Sequence, residues 1–114
     1  MAEYRFERES RTPYSESYTV LDGGESVGRI DLHFTTASVY GSLVVTDEVD
    51  TEEIQELIAA IDEDLVMTAD PYRTNFVVHV YQGREIGVFS DVDSYEEEED
   101  DDEEEVTPWN GRKP

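Results

Sequence analysis

Ten consecutive carboxylates fill residues 96–105 of this 114-residue chain, and no other feature constrains its folding as strongly. Such a run has no apolar surface to bury, and its like charges extend the chain instead of collapsing it. A folded body must therefore be assembled before it. Residues 1–95 read as one compact domain with room for a single modest core. Residues 96–114 read as an acidic disordered tail that ends in VTPWNGRKP.

The acidity does not stop at the run. Thirty Asp and Glu stand against eight Lys and Arg, a formal net charge of −22. Residues 1–95 hold twenty of those carboxylates and six arginines, a net −14. This balance opposes direct contact with nucleic acid or anionic lipid, because both interactions run on Lys and Arg. Seven of the eight cations are Arg, a bias compatible with adaptation to high salt or simply with a GC-rich genome. The chain has no cysteine, so disulfide and thiolate chemistry are excluded. The opening MAEYRFERES carries no apolar targeting core, and no apolar run reaches membrane-spanning length. A cytoplasmic protein is the expectation.

Hydrophobic periodicity outlines the body. Residues 3–9, EYRFERE, alternate aromatic and charged side chains, as a short edge strand does. SRTPYSES (10–17) reads as a loop. Residues 17–34 read as a hairpin turning at Asp22-Gly23-Gly24, where glycine reaches positive φ without steric cost. Beyond the turn, Ile30, Leu32 and Phe34 alternate with Arg29, Asp31 and His33. Another strand, 37–48, follows a turn near Thr35–Ala37. Asp50 and Glu53 then resemble a capping box, and Ile54, Leu57, Ile58, Ile61 and Leu65 form one helical apolar stripe. Residues 76–92 predict a second hairpin turning at Tyr81-Gln82-Gly83 with Gly83 left-handed, so that Val80 faces Arg84, Val78 faces Ile86 and Phe76 faces Val88. The pattern G-x-x-x-G at 24–28 and 83–87 suggests that both hairpins share one turn solution. The predicted fold is a two-layer α+β domain: a mostly antiparallel sheet of five or six strands with one amphipathic helix packed on one face.

Catalytic signals are missing. His33 and His79 occupy polar phases of their strands without ligand spacing, so ordinary solvent-facing histidines are expected. No serine sits in G-x-S-x-G or S-x-x-K. DVDSYE, beginning at Asp91, starts like a calcium loop but places Glu96 where that loop needs glycine. DGGESVG (22–28) joins two strands, so it reads as a turn and not a phosphate cradle. No enzyme, no cofactor and no metal is expected.

Aromatic residues and charge say more. Tyr40, Tyr72, Tyr81 and Tyr95 fall on outward phases or in loops. Trp109, the sole tryptophan, stands with Val106 beyond the acidic run, where aromatic residues are unusual. The favoured reading is a small non-enzymatic interaction or regulatory protein that engages a basic protein surface. Its sharper form is nucleic-acid mimicry, in which Glu52, Glu56 and Glu63 imitate a phosphate track for a nucleic-acid-binding partner and Val106 and Trp109 supply an apolar anchor. The alternative is a salt-adapted domain whose acidity is solvation and identifies no partner.

Overall fold

A computed structural model describes residues 3–91 and 106–108. The chain packs as two units, residues 1–84 and 85–114. The first contains strands β1 (Tyr4–Thr12), β2 (Ser15–Asp22), β3 (Glu25–Phe34) and β4 (Ser38–Val45). Helix α1 (Thr51–Ile61), a π-helical turn (Asp62–Val66), a short helix α2 (Met67–Ala69) and strand β5 (Asn75–Gln82) follow. The strands lie in sequence order, antiparallel from β1 to β4 and parallel between β4 and β5. The fold is the expected α+β arrangement, a mostly antiparallel sheet with one packed helix.

Local chemistry accounts for the connections. Gly23 and Gly24 adopt φ of 64° and 90°, the two left-handed positions that a two-residue hairpin with native twist requires. At the β1–β2 connection the predicted loop 10–17 shrinks to two residues, because Thr12 already pairs with Ser15. Pro13 sits in the turn itself, where its missing N–H costs no ladder bond. The Thr12 and Ser15 hydroxyls bond each other at 2.7 Å. Thr35 closes the next turn: its Oγ1 accepts from the Ser38 N–H at 3.0 Å. Asp50 caps α1 as a true capping box. Its carboxylate accepts from the Glu53 N–H at 2.8 Å, and Glu53 accepts from the Asp50 N–H at 2.9 Å.

One face of the sheet and one face of the helix make the core. Tyr18 and Val20 from β2, Ile30 and Leu32 from β3, and Val39, Leu43 and Val45 from β4 are buried against Leu57, Ile61 and Val66. Gly41 leaves the space into which Ile30, Leu32 and Phe76 lean; a Cβ there would lie 3.3–3.4 Å from all three side chains. Val66 is the surprise. It stands nine positions after Leu57, about two and a half turns of an ordinary α-helix, and would point to solvent. The π turn lets the Met67 N–H reach back five residues to the Asp62 carbonyl, and that widening carries Val66 into the core.

The predicted second hairpin does not form. α1 and the turns after it return the chain to the end of the sheet where β4 begins, so β5 runs parallel to β4, from Ser38↔Asn75 to Val45↔Gln82. Gly83 does not take a left-handed φ; its N–H donates to the Val45 carbonyl at 2.8 Å and prolongs the β4–β5 ladder. Ile86, expected opposite Val78, is 88% exposed. The two G-x-x-x-G segments therefore do not share a turn. In the second unit, β6 (Val88–Ser90) pairs in parallel with β7 (Val106–Pro108), Val88 opposite Val106. Three residues assigned from composition to a disordered tail thus form a strand, while residues 96–105 and Trp109 lie outside the described residues. No helix among the described residues is long and apolar enough to cross a membrane.

Candidate functional site

Residues 47–64 contain nine carboxylates and no Lys or Arg, and α1 sorts them by face. Asp50 and Glu53 are consumed by the cap. Glu52 and Glu56, four positions apart, are exposed on the side away from buried Leu57 and Ile61. One turn of rise, about 6 Å, separates them. Glu63, in the π turn, is also exposed. None of the three has an ion-pair partner among the described residues. The helix thus carries an uncompensated acidic ridge. Asp62, at the far end of the helix, is bound instead by a cation. Arg73 clasps both of its oxygens, at 3.0 and 2.9 Å, and lies 6.0 Å over the Phe76 ring. That clasp ties the end of the helix to the start of β5.

Tyr4 shows how dense the negative field is near the helix start. Burial pushes its phenol above the ordinary tyrosine range, and the charges of Glu53, Asp22, Glu56 and Asp50 push in the same direction. Tyr18 is raised too, by burial first and then by Glu16, whose carboxylate accepts its hydroxyl at 2.6 Å.

The sheet's opposite face is a different surface. Strand alternation directs Ser17, Thr19, Arg29, Asp31, His33, Tyr40, Ser42, Val44, Val77, His79 and Tyr81 away from the helix, and none of them is buried. Only Arg29 and Asp31 among them are charged, and they pair at 3.2 Å. β1 adds Arg5 and Glu7 to the same face, and Glu9 accepts from the Thr19 hydroxyl at 2.7 Å, so in a chain of net charge −22 this face carries two arginines and three carboxylates, a net of −1. Tyr40 and Tyr81 are 47% and 57% exposed there. Sequence reasoning located both tyrosines outward, but the near balance of charge on this face becomes visible only once strand order and register are known.

His33 and His79 lie on this face with β4 between their strands, His33 opposite Tyr40 and His79 opposite Ser42. They do not form a neighbouring pair. Among the described residues no group of three or more His, Asp or Glu could hold a metal ion. No protein-family model matches the chain, and neither does any curated protein or solved structure.

Proposed function

We propose that the protein is a small, non-catalytic interaction protein acting in the cytoplasm, and that its acidic helix face binds a basic surface on a partner protein. Glu52, Glu56 and Glu63 are the contacts, and a nucleic-acid-binding protein is the partner whose surface suits a spaced row of carboxylates. Val106 and Trp109 belong to the same proposal as an apolar anchor. The observation that carries the reading is the segregation of charge. Acidity serving only solvation has no reason to spare one surface. Here the carboxylates crowd the helix ridge while the outer sheet face balances Arg5 and Arg29 against Glu7, Glu9 and Asp31, a net of −1. Charge segregated in this way steers a basic partner to one side and raises its rate of encounter.

The test is calorimetric titration with an arginine- and lysine-rich peptide, comparing the natural chain with a Glu52→Gln, Glu56→Gln, Glu63→Gln triple variant. The variant should bind about tenfold more weakly at low salt, and the difference should shrink toward molar salt as screening removes both contributions. Equal affinity of the two proteins at low salt refutes the ridge as the binding surface. Duplex DNA should compete with this protein for a shared nucleic-acid-binding partner if the mimicry form is right.

A further inference from the structure

The two ends of the five-stranded sheet are built differently. β1, at one end, carries five charged residues in nine and a bulge at Glu9, both devices that keep further strands from adding. β5, at the other end, reads NFVVHVYQ: eight residues with no charge, no proline and no register break. The hydrogen bonds show which of its backbone groups face β4 and which have no partner among the described residues. The Gly83 N–H points to β4, where it meets the Val45 carbonyl at 2.8 Å. Backbone direction alternates along a strand, so the odd-numbered residues of β5 turn toward β4. Phe76, Val78, Val80 and Gln82 direct their N–H and C=O groups away from the sheet. Val80 is 37% and Tyr81 57% exposed along this edge.

We infer that two copies of this chain associate through β5, pairing antiparallel about a two-fold axis so that their sheets become continuous. An uncharged strand edge is where a second copy of so acidic a chain can pair. Molecules of net charge −22 repel over most of their surface, and they can meet closely only where no carboxylates face each other. β5 is such a place, and the outer face of β2–β4 beside it adds only the internally paired Arg29 and Asp31. A two-fold axis perpendicular to the sheet keeps like faces together. Phe76, Val78 and Val80 of the two copies then extend one apolar layer, with Val77, His79 and Tyr81 side by side on the other face.

Sedimentation equilibrium of the full chain tests this, at about 0.1 M and about 2 M sodium chloride. Pairing of two acidic molecules through an uncharged seam strengthens with salt. The acid–base contact proposed above weakens with salt, so each idea can fail without the other. The expected result is a mass near twice 13.1 kDa at high salt. Val80→Lys, at a partly exposed edge position, should return the mass to that of the monomer, whereas Glu7→Lys on β1 should leave the dimer intact. Amide exchange of the natural chain provides a readout that needs no variant. The N–H groups of Phe76, Val78, Val80 and Gln82 should slow by about tenfold or more as concentration rises into the dimeric range. A monomer at every salt and concentration overturns the inference. So does a dimer in which those four amides still exchange freely.

Discussion

Val66→Ala measures what the π turn contributes. In the structure Val66 is fully buried beside Leu57 and Ile61. Truncation removes the equivalent of two methyl groups, about 1.6 kcal/mol of transfer free energy at about 0.8 kcal/mol each. Incomplete collapse adds a cavity cost of about 1 kcal/mol if roughly 40 Å³ stays empty. Alanine's better helix propensity returns up to about 0.6 kcal/mol. The net expectation is a loss of about 2 kcal/mol, or about 10 °C in unfolding midpoint for a domain of this size. Urea unfolding followed by far-ultraviolet circular dichroism reads it directly, with an unchanged denaturant slope showing that two-state behaviour persists. Met67→Ala, one position on and 40% exposed, is the control and should stay within about 0.5 kcal/mol. A Val66 loss equally small would refute the reasoning, because a straight α-helix places that residue in solvent. Deleting Glu63 makes the complementary check: an ordinary helical turn should replace the π turn, Val66 should stay inside, and the loss should be smaller than for Val66→Ala.

Three further outcomes follow from the same packing. Asp62→Asn weakens a partly exposed two-pronged clasp on Arg73, so urea unfolding should show a loss of about 1 kcal/mol, between exposed and buried ion pairs. Tyr4 and Tyr18 have folded-state values raised above the ordinary 10.0, so their contribution is fully present below pH 10 and is lost as pH rises through the raised values. Stability should fall on the alkaline side of pH 10, and the double variant Tyr4→Phe, Tyr18→Phe should flatten that fall; an equally steep decline in the variant assigns the effect elsewhere. Gly24→Ala forces a side chain into φ of 90° at a position with open space around it, so the cost is conformational, about 1–2 kcal/mol, and a thermal melt unchanged from the natural chain would contradict the turn geometry.

The features legible in the sequence were those decided within a few residues. The Asp50–Glu53 box depends on two side chains reaching each other's backbone across one turn. The Gly23-Gly24 turn depends on which residues tolerate positive φ, and the stripe through Ile54, Leu57, Ile58 and Ile61 depends on helical repeat alone. The exposed ridge of Glu52 and Glu56 is the other side of that repeat and was equally legible. Beyond this range local signals became ambiguous. An alternating apolar segment such as Phe76-Val77-Val78-His79-Val80 is the same string whether the strand runs parallel or antiparallel. Its direction was decided by where the preceding helix released the chain, and Gly83, a plausible turn former, was recruited into the β4 ladder instead. The π turn had no local signature either. The core accepted Val66 by widening the backbone, a choice set by side chains from β2, β3 and β4. The nearly charge-balanced outer face and the uncharged edge at β5 belong to the same class. Each collects residues far apart in the chain, and strand order and register brought them onto one surface.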